Sequence, residues 1–181
     1  MSKTAVMIDL ETLATSPDAA ILSIGAVKFD PFGNETTDYD EFYLRVDVDS
    51  CDSINLTVSD DTIEWWSKQS QEAQDEAFNP ENRVHIKDAF EQLYKFCWGC
   101  KTVWSNGAAF DVVICETVFN RIGKKVPWEY WQVRDCRTLF DQELMGIDPQ
   151  KPAITAHNAL DDALAQAISV QNVLRKLRGI K

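Results

Sequence analysis

The chain has 181 residues, of which 45% are apolar and 26% charged, a globular composition long enough for one domain with a proper core. No apolar run approaches the roughly 20 residues needed to span a membrane, and five scattered cysteines suit a reducing compartment, so the cytoplasm is the expected location. A net charge of −11 argues against a broad grip on duplex phosphates, but not against a strand end drawn into a pocket where cations carry the positive charge.

Met-Ser-Lys-Thr leads straight into strand-like residues, which leaves no room for a signal peptide. Val6-Met7-Ile8-Asp9-Leu10-Glu11-Thr12 predicts a central strand that ends in two carboxylates. Residues 20–29 predict a second strand, Pro31-Phe32-Gly33-Asn34 a turn, and 41–46 a third strand, together an antiparallel meander. Beyond that the periodicity turns helical. Ser59 is placed to cap a helix through Ile63, Trp65 and Trp66, and 85–97 reads as an amphipathic helix. A short strand over 102–104 precedes a helix over 110–122 closed by Gly123. A fifth strand over 132–134, a helix over 138–145 and a last helix over 159–178 complete the chain. The expected fold is α/β, a mixed sheet with helices packed on its faces, forming one domain over residues 1–181. Cys97-Trp-Gly-Cys100 has no second cysteine pair, and it reads as a helix end with two thiols.

The chemistry-bearing residues are acids in awkward places. Asp9 and Glu11 alternate to the same face of a strand, with α-carbons about 6.6 Å apart. Like charges held that close need a cation between them or a proton on one of them. Asp111 falls near the middle of the buried stripe of its helix, where an unpaired carboxylate is costly. On the last helix Asp161 points outward, whereas Asp162 flanks the core face and can reach the sheet. His157 lies about 140° from Asp162 on a continuous helix, so both enter one site only if His157 belongs to the preceding loop, around Lys151-Pro152-Ala153. All-oxygen ligands favour Mg²⁺ or Mn²⁺ over zinc.

With those residues in place, the chain resembles the DEDDh exonucleases, the DnaQ-like branch of the ribonuclease H-like fold. Asp9-Leu10-Glu11-Thr12 looks like the first motif, Phe110-Asp111 the second, and His157-Asn158-Ala159-Leu160-Asp161-Asp162 the third. Residues 19–27, Glu64-Trp65-Trp66, the stretch from Trp104 to Asp111 and the run from Pro127-Trp128 through Arg134 to Thr138 are similar to a phage and bacterial subgroup that contains both exodeoxyribonucleases and exoribonucleases. The resemblance implies a five-stranded mixed sheet with strands one to three antiparallel, and stepwise hydrolysis from the 3′ end of single-stranded nucleic acid. It implies two divalent cations, with Asp9 bridging both, Glu11 and Asp162 completing one site and Asp111 holding the second partly through water. A water must lose a proton near neutral pH, and His157 is the side chain suited to take it.

Sequence-tolerant grip on a single strand comes from aromatic faces. Adjacent Trp65 and Trp66 are about 100° apart on a helix, so they cannot face the core equally. The substrate contacts expected are Thr12, Leu13 as a wedge by analogy with relatives, Trp66, Asn106 and Phe110, with Arg134 and Arg137 as candidates for phosphates. Two rival readings are a proofreading or trimming subunit of a larger complex, and a nuclease-like fold used only for binding or inhibition. The resemblance also allows a homodimer, and it leaves DNA and RNA both open.

Overall fold

The computed structural model describes residues 3–33, 38–149, 152 and 157–180. Asn34 and most of the loop over 151–153 therefore lie outside the described residues. Strands β1 (Ala5–Thr12), β2 (Ile21–Phe29) and β3 (Asp40–Arg45) are followed by helices α1 (Val48–Asp52), α2 (Asp60–Ser67), α3 (Gln71–Ala77) and α4 (Ile86–Cys97). Strand β4 (Thr102–Ser105), α5 (Asp111–Arg121), β5 (Val133–Asp135), α6 (Cys136–Phe140), α7 (Gln142–Met145) and α8 (Ala159–Leu177) complete the order.

The five strands form one sheet in the order β3-β2-β1-β4-β5, so the acid-ended strand is central, as its apolar run predicts. β1, β2 and β3 pair antiparallel, while β4 runs parallel to β1 and β5 parallel to β4. This is a mixed five-stranded sheet of the ribonuclease H-like kind. Alternation along β1 sends Val6, Ile8 and Leu10 into a core shared with α4 and α5, and Ala5 and Met7 into a second core under α8. Asp9 and Glu11 continue the Ala5–Met7 series and so stand on the α8 side. The β1–β2 register shifts between Glu11 and Thr12, a bulge at the strand end where pairing stops.

Close approach of α8 to the sheet depends on small residues. Ala159, Ala163 and Ala167 are wholly buried along its inner face. Gly25, which pairs with Asp9, lies directly beneath the first turn of α8, where an added Cβ would sit 2.1 Å from the carbonyl carbon of Ala159. The start of the helix that carries Asp162 is thus seated against the strand residue opposite Asp9.

The helix expected over 138–145 is two short helices. Asp141 adopts an extended conformation between them, and its carboxylate accepts from the Leu144 N–H at 3.0 Å, so this side chain breaks one helix and caps the next. Ser59 occupies the N-cap of α2 as expected, but its hydroxyl makes no capping hydrogen bond. The Cys97–Cys100 pair closes α4, and all five thiols are free and buried. No helix among the described residues is long and apolar enough to cross a membrane.

Candidate active site

Three chain segments converge beyond the C-terminal end of β1. The strand delivers Asp9 and Glu11, the first turn of α5 delivers Asp111, and the first turn of α8 delivers Asp162. Asp9, Glu11 and Asp162 each offer a carboxylate oxygen, and these atoms lie within 4.8 Å of one another, a spacing that fits a shared cation. Asp111 stands apart from that trio. It is 4% exposed, and its Oδ1 accepts from the Leu10 N–H at 3.1 Å, which ties the head of α5 to the strand between Asp9 and Glu11.

Packing four acids together has an electrostatic consequence. Burial, followed by the charges of Asp111 and Glu11, pushes the Asp9 carboxyl well above the usual carboxylate range. Burial also raises Glu11 to about 8, with Asp162 and Asp111 adding to the effect. Asp111 is raised to about 7 by burial, against the pull of the Leu10 N–H. Asp162 is raised by burial and held down in part by the His157 N–H. Acids this reluctant to ionise together form a site suited to protons or, better, to divalent cations. The donor set is all carboxylate, which fits Mg²⁺ or Mn²⁺.

His157 sits in the turn before α8, as the helical geometry requires if it is to share a site with Asp162. Its backbone has φ of 68°, and its N–H donates to Asp162 Oδ2 at 3.1 Å. The imidazole lies edge-on to Trp65, with ring centroids 5.2 Å apart, and 6.0 Å from Trp66.

The profile of a family described as a 3′-5′ exoribonuclease Rv2179c-like domain matches residues 4–174. The chain belongs to that family. An exodeoxyribonuclease of Enterobacteria phage T4 is 23% identical to this chain, over 97% of this chain and 91% of that protein. Solved structures with a similar fold include E. coli exonuclease I with single-stranded DNA (TM-score 0.62, 13% identity, 97% of this chain and 41% of that one). Cell-death related nuclease 4 gives a TM-score of 0.61 at 16% identity over 96% of this chain and 64% of that one. Exonuclease X with 5′-overhanging duplex DNA gives 0.54 at 15% identity, over 95% and 92%. This exonuclease domain therefore spans about two fifths of the exonuclease I chain and most of exonuclease X.

The expected substrate contacts are placed unequally in this chain. A cavity of about 420 Å³ beside Glu11 is lined by Thr12, Phe110, Trp65 and Trp66, together with Asp61 and Thr62 of α2. Thr12 is buried there, with its hydroxyl donating to the Ala14 carbonyl at 2.8 Å. Leu13, expected as a wedge, is placed differently from the cavity-lining residues. It is 5% exposed and packs in the core, while its N–H donates to the Ala20 carbonyl and its carbonyl accepts from the Ser59 N–H. Trp66 gives only an edge to the cavity wall; it is 2% exposed, and its indole N–H donates to the Thr12 carbonyl at 2.9 Å. The exposed member of the pair is Trp65, at 43%. Asn106 lines a separate small cavity of about 130 Å³ with Asp162 and Gln166. Of the two arginines, Arg134 is committed to the Trp131 and Val133 carbonyls, whereas the Arg137 guanidinium lies over Gly107 and draws down the Asp111 carboxyl. Gln166 and Gly25 carry no motif of their own, and sequence reasoning passed over both as site residues.

Proposed function

We propose that this domain, working as a single exonuclease unit in the cytoplasm, hydrolyses phosphodiester bonds one at a time from the 3′ end of single-stranded nucleic acid and releases nucleoside 5′-monophosphates. The observation that carries this reading is the convergence of the Asp9, Glu11 and Asp162 carboxylate oxygens within 4.8 Å, in a chain of this family.

Asp9, Glu11 and Asp162 would hold one of two Mg²⁺ or Mn²⁺ ions, and Asp111 together with Asp9 would hold the other. When bound, such ions make a water more acidic and offset the charge that develops on the leaving 3′ oxygen. The chain's own residues supply the rest. His157, held by its backbone bond to Asp162, takes the proton from the water that attacks the terminal phosphorus. As the bond from phosphorus to the 3′ oxygen breaks, that oxygen takes a proton from solvent, so the phosphate leaves with the terminal nucleotide and the shortened strand ends in a 3′-hydroxyl. Trp65 and Phe110, at the cavity beside Glu11, offer faces for the last base, and Arg137 offers a charge for a neighbouring phosphate. A cavity of about 550 Å³, also lined by His157, is walled by the acids Glu72, Asp75 and Asp161 and by Glu76, which is paired with Arg45. Glu72, Asp75 and Asp161 repel a phosphodiester backbone, which favours a path for the strand toward Trp65.

The test is digestion of 5′-labelled single-stranded DNA and RNA of matched sequence with Mg²⁺ and with chelator. The expected result is a metal-dependent ladder shortening from the 3′ end. Tight binding without cleavage, or internal cuts, would overturn the proposal in favour of a binding protein or an endonuclease.

A further inference from the structure

Gln166 lies one helical turn after Asp162 on α8, so the two side chains leave the same face of that helix. Its Nε2 donates to Asp9 Oδ1 at 2.8 Å, across 157 residues of chain. Asp9 is otherwise surrounded by like charge from Asp111, Glu11 and Asp162. Among the described residues, Gln166 is the one side chain that donates to its carboxylate. An ionised carboxylate only accepts, so the amide turns its N–H end to Asp9. Gln166 Oε1 is buried and has no donor within hydrogen-bonding distance among the described residues, so no competing bond turns the group the other way.

We propose that Gln166 is a positioning residue for the cation site, fixing the Asp9 carboxylate so that its remaining lone pairs face Glu11 and Asp162. The inference rests on the metal-centred reading above. The residue type suits the task. A lysine or arginine at this position would neutralise Asp9 and compete with the cations, whereas a neutral amide orients the carboxylate and leaves its charge in place. One carboxylate oxygen accepts more than one partner, so the hydrogen bond does not use up the donor atom. Helix α8 thus supplies one ligand, Asp162, and the hand that steadies another. Hydrogen-bonding partners of metal ligands commonly change metal affinity by about 10–100-fold when removed.

The experiment is calorimetric Mn²⁺ titration of the full chain as wild type, Gln166→Leu and Asp9→Asn, with melting temperatures recorded in chelator. The expected result for Gln166→Leu is a folded protein whose Mn²⁺ dissociation constant rises about 10–100-fold, with nuclease rate recovering at high Mn²⁺. A variant that melts lower yet binds Mn²⁺ within twofold of wild type overturns the positioning role and leaves Gln166 a structural clamp. If Gln166→Leu does not fold, Gln166→Met, close in shape and without the amide, is measured in the same way. Should wild type itself bind no Mn²⁺, as Asp9→Asn is expected not to, the metal-centred reading fails rather than this one alone.

Discussion

The two ends of the sheet make an instructive pair. At the N-terminal ends of β4 and β5, Tyr94, Trp98, Lys101, Lys125, Trp128 and Gln132 line a cavity of about 450 Å³. Trp98, Tyr130 and Trp131 there are 63%, 83% and 60% exposed, more than any aromatic near the carboxylates. At the C-terminal end of β1, a cavity of about 420 Å³ lies beside Glu11 with a single half-exposed tryptophan. Size and aromatic exposure alone would favour the first end. Chemistry favours the second, because only there do strand and helix ends bring together acids that resist ionising. The lesson is that exposed rings mark a surface able to stack or dock, whereas like charges forced together mark a site built for a cation.

The most damaging change to that contrast is His157→Ala, for which turnover should fall about 10²–10⁴-fold while Mn²⁺ affinity is unchanged; single-turnover rates beside calorimetry measure both. A near-normal rate would remove the base from the carboxylate end. Gly25→Ala probes the seat of α8. An added Cβ must displace the first turn of that helix, at a cost of about 1–3 kcal/mol, or roughly 2–4 °C of melting temperature per kcal/mol. Metal affinity should fall with it, since Asp162 rides on the same turn. Trp65→Ala paired with Trp131→Ala compares the two ends directly. Loss of a stacked base, worth about 1–3 kcal/mol, should raise the KM for oligonucleotide in the first variant and leave it within twofold in the second. Equal effects would mean that the far aromatic surface also holds substrate.

The smallest effect is on pH dependence. Glu11 at about 8 and Asp111 at about 7 are both raised above their ordinary values, so the folded chain binds protons more tightly than the unfolded one. That contribution to stability is complete below the unfolded carboxylate range and is lost as pH rises through about 7 to 8. In chelator the melting temperature should therefore drop by a few degrees between pH 6 and pH 8.5, and added Mg²⁺ should restore more at the higher pH. No pH-dependent gain from Mg²⁺ would contradict the crowding of these acids.

Much of this arrangement was legible in the sequence because it rests on local periodicity. A two-residue spacing on a strand put Asp9 and Glu11 on one face, and a helical stripe put Asp111 inside. The 140° offset forced His157 off its helix, and the structure shows it in the turn before Ala159. What escaped was set by packing between distant segments. Trp65 and Trp66 are equivalent in sequence, and the choice between them depends on the Thr12 carbonyl, which claims the indole of Trp66. The backbone of Leu13 is hydrogen-bonded to Ala20 and Ser59, contacts that no local pattern announces. Helix α3 has only Ala73 and Ala77 buried, too little apolar pattern to announce itself. The roles of Gly25 and Gln166 exist only once α8 lies on the sheet.

The most direct measurement is a crystal structure grown with Mn²⁺ and recorded at a wavelength where manganese scatters anomalously. The expected result is an anomalous peak bounded by Asp9, Glu11 and Asp162, with Gln166 still donating to Asp9. A map with no peak among those carboxylates, or with manganese only at the aromatic end of the sheet, would contradict the central claim.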